Sequence, residues 1–448
     1  MRQTPVCAID NGRSYRADEA PAPVLYLDNS STFGGAINSL LYMLKELDRQ
    51  RYRPILVSGQ QAEFVHEQAA DVEYHEFEPK QPWRHDHIYT RIQAFPLFRW
   101  RPAARLLSWC RYAFWMLFIT LPEALRYYRI GRRHRVALVH LNNCIESQFA
   151  GMLAARLLRV PCVAHSRGFQ PVDRVVAASA KLVHHHIAIS SAIRDNLREL
   201  NIAADRISVI FDGVDLSAFD AHAPSARREA FGIPADAKVF GIFGRIVDWK
   251  GIREFVLAAA RVFEAEPSAR AMIVGDRSDG EEAYYNAIIG LIAERGLEDR
   301  IILTGYRADV PALMRLMDVV VHASTEPEPF GMVLIEAMAT GKPVVATRAG
   351  GPLDIVIDGE TGLLVEPKAT EPMADAILRL LRDPEFAAAL GRAGRVRAAE
   401  VFSNRRYARE VEAVYDRVLS DSAGRATRAA ASPRRRRGAP TEPATTGR

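Results

Sequence analysis

Two carboxylates with seven residues between them, Glu328 and Glu336, frame the stretch best equipped for chemistry, EPEPFGMVLIEAMATGKPVVATRAGGPLDIVIDGETGLLVEP at 326–367. Pro327 and Pro329 stop a strand and prepare a helix start at about Phe330. That start leaves the amides of Gly331, Met332 and Val333 free for an anion, with Glu328 at its mouth. Glu336 lies about 7 to 8 Å further along the helix at 1.5 Å per residue. Its neighbours Val333, Leu334, Ile335, Ala337, Met338 and Ala339 are apolar all round, so the helix reads as buried. A carboxylate there is costly unless it is hydrogen-bonded. The vicinal hydroxyls of a ribose would supply two donors; the alternative is an ion pair to a core arginine.

Cations come next. In FGRIVDWKG, 243–251, Arg245 and Lys250 follow a strand ending near Gly244 and precede a helix. Positive charge at a helix N-terminus opposes the helix dipole, so it needs a partner. A diphosphate is one, and two positioned cations can do the charge-stabilising work of a divalent metal. Pairing with Asp248 at the surface is the other. Gly34 and Gly35 open a helix after the first strand of the first half, where glycine lets backbone approach a phosphate or acceptor closely. His165 ends the run PCVAH, and Asn142 and Asn143 follow VHL. All three stand at strand ends, where a histidine serves structure or ligand. The run His184, His185 and His186 invites a metal reading, which strand alternation weakens, since only the outer two share a face. G-x-S-x-G, GxxxxGK[ST] and HExxH are absent from the sequence, which removes support for serine hydrolase, P-loop and zincin chemistry.

Holding these groups together takes sheets. Short β-rich runs alternate with helical stretches twice over, the pattern of two parallel α/β halves. Strands are expected at 24–28, 54–58, 136–141, 161–165, 184–190 and 207–210, then at 239–243, 271–275, 301–305, 319–323, 343–347 and 362–366. Residues 1–22 read as an N-terminal extension, 23–211 as the first Rossmann-like domain, 212–229 as a hinge linker and 230–420 as the second domain. Open α/β sheets bind ligands at the carboxyl ends of their strands, so two facing halves create a deep interdomain cleft.

The 448 residues suit two such domains, and 48% hydrophobic with 25% charged residues excludes collagen-like, coiled-coil and wholly disordered chains. Cys7, Cys110, Cys144 and Cys162 form no CxxC pair, which fits a reducing cytoplasm and no structural zinc. No secretory signal is expected at 1–22, and the apolar run 112–122 is too short to span a bilayer. Residues 421–448 hold seven arginines against Asp421 and Glu442, so the net charge of +5 belongs to this tail, expected to be disordered and solvated. Residues 80–135 carry twelve Lys and Arg against Asp86 and Glu123, together with Trp83, Trp100, Trp109 and Trp115. Arg101, Arg105 and Arg111 share a helix face away from Leu106, Leu107 and Phe114. This is the pattern of a helix lying in an anionic membrane interface, or of one that merely covers the sheet.

The 326–367 segment resembles the E-x7-E signature of the retaining glycosyltransferases of family 4, and the similarity extends over most of 23–420. That resemblance implies the GT-B fold, an α/β architecture of two facing Rossmann-like domains with a deep interdomain cleft. It implies that Glu328 contacts the donor sugar and Glu336 the nucleotide ribose, with Phe330 and Gly331 matching the backbone part of the motif. Arg245 and Lys250 match the family's phosphate-binding pair. Gly34 and Gly35 resemble its glycine-rich loop, and His165 its histidine at the donor sugar. Asp212, Asp354 and His322 depart from the Asn, Glu and Pro usual at those places. The implied activity is transfer of a sugar from a nucleotide diphosphate, UDP before GDP, to a hydroxyl of a glycan or lipid-linked acceptor with retention. No metal or other cofactor is expected, no nucleic acid partner, and a cytoplasmic, peripheral membrane location. The rival readings are a nucleotide-sugar epimerase of the same architecture and a non-catalytic membrane-associated binding protein.

Overall fold

The structure is a computed structural model that describes residues 6–10, 13–16, 20–29, 34–69, 71–77, 110, 113–220, 225–278 and 280–431. Two parallel sheets carry it. The first contains β3 (Ala22–Asp28), β4 (Tyr52–Ser58), β5 (Glu73–Glu76), β6 (Leu138–Asn142), β7 (Cys162–Ser166), β8 (His185–Ala188) and β9 (Ile207–Val209), in the order β5-β4-β3-β6-β7-β8-β9. The second contains β10 (Val239–Phe243), β11 (Arg270–Val274), β12 (Ile301–Leu303), β13 (Val319–His322), β14 (Val344–Thr347) and β15 (Leu363–Val365), in the order β12-β11-β10-β13-β14-β15. Each half is a Rossmann-like α/β unit, and every strand expected from the sequence is present. A short hairpin, β1 (Val6–Asp10) and β2 (Arg13–Arg16), and β5 were not foreseen. β5 reads EYHE, without the apolar run that marks a buried strand.

Strands covered by helices on both faces become near-continuously apolar. Val24, Leu25, Tyr26 and Leu27 in β3, and Val319, Val320 and Val321 in β13, are all but inaccessible to solvent. In each sheet the first strand is central, and the winding reverses beside it: between β3 and β6 in the first, between β10 and β13 in the second. Chains leaving adjacent strands in opposite directions open a crevice at their carboxyl ends. The loops carrying Gly34, Gly35 and Asn143 leave one reversal, and those carrying Arg245, Lys250 and Glu328 leave the other.

The helix Asn404–Ala431 corrects the domain boundaries. Tyr407, Val411, Val414, Tyr415, Val418 and Leu419 form a stripe spaced by three and four that packs on Tyr26, Tyr52, Val163 and Ile187 of the first sheet. The Tyr415 hydroxyl donates to the Tyr26 hydroxyl at 3.2 Å and meets His140 Nδ1 at 2.7 Å, while Asp416 accepts from Tyr52 at 2.6 Å. Residues 404–420 thus complete the first domain and not the second. Residues 421–431, expected to be disordered, continue that helix; 432–448 lie outside the described residues. Arginine-rich composition obscured the apolar stripe just before it. The chain crosses between domains twice, and the crossings touch: Val214 N donates to Phe402 O at 2.8 Å and Asn404 N to Val214 O at 3.1 Å.

Truncating a large aromatic on this stripe removes both buried area and packing. Tyr407→Ala is expected to cost about 3 to 5 kcal/mol, read as a lower urea midpoint for the transition of the first domain. A loss under about 1 kcal/mol would mark the helix as a loose appendage.

Candidate active site

The reversal between β10 and β13 assembles the polar cluster. After β10 the chain passes Gly244 and Arg245, makes the tight turn Asp248–Lys250 and enters the helix Ile252–Ala265 through Gly251, whose φ is +69°. A Cβ there would stand 1.9 Å from the Ala323 carbonyl oxygen, so only glycine fits against the end of β13. Thr325 N donates to Trp249 O at 2.8 Å and fastens the two loops together. Glu328 is fixed by a second close approach, since a Cβ on Gly350 would lie 2.2 Å from the Glu328 carbonyl oxygen, and Gly351 N donates to that oxygen at 2.8 Å.

Lys250 Nζ, held 4.3 Å above the Trp249 ring, donates to both carboxylate oxygens of Glu328 at 2.9 and 2.7 Å. Ser324 Oγ donates to Glu328 Oε2 at 2.9 Å, and His322 Nε2 lies 3.4 Å from the same oxygen. Burial pushes this carboxyl up, but the Lys250 ammonium and then His322 outweigh it and hold Glu328 well below the usual carboxylate range. The group stays ionised. Two of the three ammonium hydrogens are committed to Glu328, and among the described residues Oε1 accepts only from Lys250, so each partner keeps capacity for a ligand. Arg245, exposed at the same pocket as Gly244, Lys250, His322 and Ser324, makes no ion pair among the described residues.

The helix Met332–Ala339 starts two residues later than expected, with Gly331 as its N-cap at φ +117°. Leu334 N bonds back to Gly331 O, so the open amides at this end are those of Met332 and Val333. Phe330 is 3% exposed, and its ring packs on Phe211 and Phe402 where the domains join, so only its backbone belongs to the site. Across the cleft the helix Gly35–Glu46 begins directly opposite: a Cβ on Gly35 would meet Met332 Cγ at 3.6 Å. Two helix N-termini therefore face one another.

Glu336 is half-buried on this helix and has no cationic partner among the described residues, so the core-arginine alternative fails. Burial pushes its carboxyl up to about 7 from an ordinary 4.5, and its charge in turn helps raise Tyr42 on the opposite domain.

His165 does not join the cluster. Strand alternation turns it toward the C-terminal helix, where it is fully buried between His140 and Tyr407, and burial, then Arg167 and His140, hold it neutral. The ring stands in the domain core, outside the Lys250–Glu328 cluster, and its Nε2 makes no hydrogen bond among the described residues. Asn142 is likewise buried, donating to Asp28 Oδ1 and accepting from Arg167, while Asn143 Oδ1 accepts from Cys144 N. His184, His185 and His186 each have their own partner, Cys162 N, Ser208 Oγ and Ala180 O. The three departures gain reasons. Asp212 pairs with buried Arg167 at 2.6 Å, Asp354 accepts from Ser191 N of the other domain at 2.7 Å, and His322 supports Glu328. Ser324, Trp249, Gly251 and Gly350 were missed: Trp249, Gly251 and Gly350 meet partners tens of residues away, Ser324 reaches Glu328 only through the turn between them, and only a glycine before a helix hinted at Gly251.

Residues 33–218 match Glycosyltransferase Family 4, and residues 225–397 match Glycosyl transferases group 1. A 2-deoxystreptamine glucosyltransferase of Streptomyces kanamyceticus is 33% identical over 63% of this chain and 77% of its own. The N-acetyl-alpha-D-glucosaminyl L-malate synthase of Bacillus anthracis is 26% identical over 65% of this chain and 77% of its own. The chain spans only 56% and 59% of two D-inositol 3-phosphate glycosyltransferases that it also matches. The crystal structure of Anabaena HepE with UDP-glucose superposes with TM-score 0.70 at 25% identity, covering 88% of this chain and 99% of that one.

The Glu336 carboxyl loses its proton at a higher pH in the folded than in the unfolded chain. Its contribution to stability is therefore intact below 4.5 and is lost as pH rises through about 7. Glu336→Gln keeps the shape without the charge. It is expected to melt close to the wild type near pH 5 and above it at pH 8; a difference that does not change with pH would mean that the carboxylate has a cation after all.

Proposed function

The chain belongs to glycosyltransferase family 4, with the GT-B fold and glycosyltransferase activity, and from that premise we propose that it transfers a sugar with retention from a UDP-sugar to a hydroxyl of a glycan or lipid-linked acceptor. The observation that carries this reading is the Lys250–Glu328 pair beside Arg245, at the strand reversal and facing two helix N-termini. Cations with spare donors suit a diphosphate, and a carboxylate with a spare lone pair suits sugar hydroxyls. Two ribose hydroxyls donating to Glu336 would stabilise its ionised form and give the carboxylate the ligand its position calls for. The HepE complexes with UDP and UDP-glucose support the uridine donor.

In the step itself the acceptor oxygen bonds to the anomeric carbon on the face from which the phosphate leaves. The bond from that carbon to the phosphate oxygen breaks, its electron pair stays on that oxygen, and the same oxygen takes the acceptor proton. Charge builds on the leaving diphosphate, where Lys250, Arg245 and the amides of Met332 and Val333 stabilise it, a role a divalent metal fills elsewhere. Gly34 and Gly35 allow the donor and acceptor to meet at the opposite wall.

A membrane-bound acceptor accords with the first domain. The helical stretch leading into Leu121–His134 exposes Phe114, Met116, Leu117 and Phe118, at 55, 46, 56 and 59%, and no helix among the described residues is long and apolar enough to cross a bilayer. Arg101, Arg105 and Arg111 lie outside the described residues. Large exposed apolar side chains on one helix, next to a strongly basic sequence, suit shallow insertion into an anionic cytoplasmic surface.

Lys250→Ala and Arg245→Ala are each expected to lower turnover about a hundredfold, roughly 3 kcal/mol of transition-state stabilisation, with circular dichroism unchanged and proton NMR of the wild-type product showing the donor's anomeric configuration. Near-normal turnover in both variants, or inversion, would overturn the assignment. The protein is also expected to sediment with anionic vesicles at low salt, and Leu117→Ser with Phe118→Ser to weaken this. Equal sedimentation with neutral vesicles would leave these residues as surface packing.

A further inference from the structure

Away from the cleft, Glu73, His75 and His134 converge. Glu73 and His75 are two apart on β5 and so project from one face, while Tyr74 between them turns to the other and donates to the carbonyls of Ser58 and Gln60. His134 is the last residue of the helix Leu121–His134, which Arg135 ends in a left-handed turn at φ +51°. Glu73 Oε1 lies 3.2 Å from His134 Nε2 and 3.9 Å from His75 Nε2, and the three donor atoms all fall within 4.8 Å of one another.

The imidazole nitrogens are the telling part. Nε2 of His75 and Nε2 of His134 are both shut off from solvent and make no hydrogen bond, although each points near Glu73. Leaving a shielded polar atom unpaired is costly, and here two such atoms face the same carboxylate oxygen. The two rings stand 5.3 Å apart at 61°, edge to face, not stacked for contact. Arg53 on β4 bonds the far oxygen of Glu73 at 3.3 Å and the His134 carbonyl at 3.2 Å, which fixes Oε1 toward the imidazoles and anchors the helix end. Around zinc at about 2.0 to 2.1 Å, tetrahedral donors stand roughly 3.3 Å apart; the Glu73–His134 distance of 3.2 Å matches this, and the 3.9 Å to His75 requires its ring to close in on the ion.

The geometry points to a divalent transition-metal site, of zinc type, built from Glu73, His75 and His134. Two imidazoles and one carboxylate suit zinc over magnesium or calcium, which prefer oxygen ligands, and solvent would fill the fourth position. The Arg53 charge opposes the ion, so the site holds an exchangeable metal and not a permanent one. Glu73 opens its strand and His134 precedes β6, so the cluster lies at the amino ends of the strands, on the opposite side of the sheet from the cleft. Metal there joins the edge strand to the helix that leads back into the centre of the sheet, and stabilises the first domain by binding the folded form alone. It takes no part in sugar transfer.

The test uses the full chain after dialysis against chelator. Titration with zinc chloride against a chromophoric competitor should show one equivalent bound and a rise in Tm, and magnesium should give neither. Cobalt(II) should bind with the visible absorption of a four-coordinate site and no thiolate charge-transfer band, which excludes Cys110 as the ligand. His75→Gln and Glu73→Gln, on a strand edge, should each abolish both effects without lowering the Tm of the metal-free protein. Turnover of chelated protein well below its Tm should be unchanged, so this site and the transfer reading fail separately. Absence of stoichiometric zinc binding, or binding that survives both substitutions, overturns the site.

Discussion

A side chain at position 251 would collide with the Ala323 carbonyl oxygen, and the cluster that follows depends on its absence. Because two strands of opposite winding end there within backbone contact, Lys250 from one loop reaches Glu328 from the other, and β13 and the turn after it supply His322 and Ser324 underneath. An ion pair so sheltered from water is fragile to the removal of either member, since the survivor is left charged and poorly solvated. Such a pair is tolerable where a ligand's own charges can compete for both ends. The second near-collision, of Gly350 with Glu328, stops the carboxylate loop from swinging away. Backbone proximity thus comes first, and the charge arrangement is its result.

The two carboxylates of this segment are treated in opposite ways. Glu328 is surrounded by donors and stays ionised, whereas Glu336, one helix further along, has burial without compensation and titrates close to neutrality. Environments that push like groups apart mark a site with divided roles. Here one carboxylate is held ionised by its donors, and in the proposed transfer the other takes its donors from the ribose of the nucleotide.

Strand positions were legible because buried parallel strands leave short β-branched runs between helical stretches, and twelve such runs became twelve strands. Arg245, Lys250, Glu328 and Glu336 were legible as types and spacings in two segments, and the fold brings them to one crevice. Other features escaped for physical reasons. β5 is a polar edge strand, so hydrophobic pattern is silent there. His165 sits at a strand end as expected, but which face it takes depends on the helix packed behind it. That helix, from Asn404, was credited to the wrong domain because its apolar stripe has no sequence neighbour in the first sheet. Glu73 and His75 meet His134 only through the pairing of β4 with β5 and the docking of a helix, contacts that no local spacing encodes.

The stripe of Tyr407, Val411, Tyr415 and Val418 has a consequence for the newly made chain. One face of the first sheet is closed by residues synthesised only after the whole second domain. At about 5 to 20 residues per second, the roughly two hundred residues between β9 and this helix take some 10 to 40 s to synthesise. Throughout that interval Tyr26, Tyr52 and Val163 lack their native cover, so the first domain to be made is the last to be finished. Its apolar face is then a natural site for a chaperone to hold.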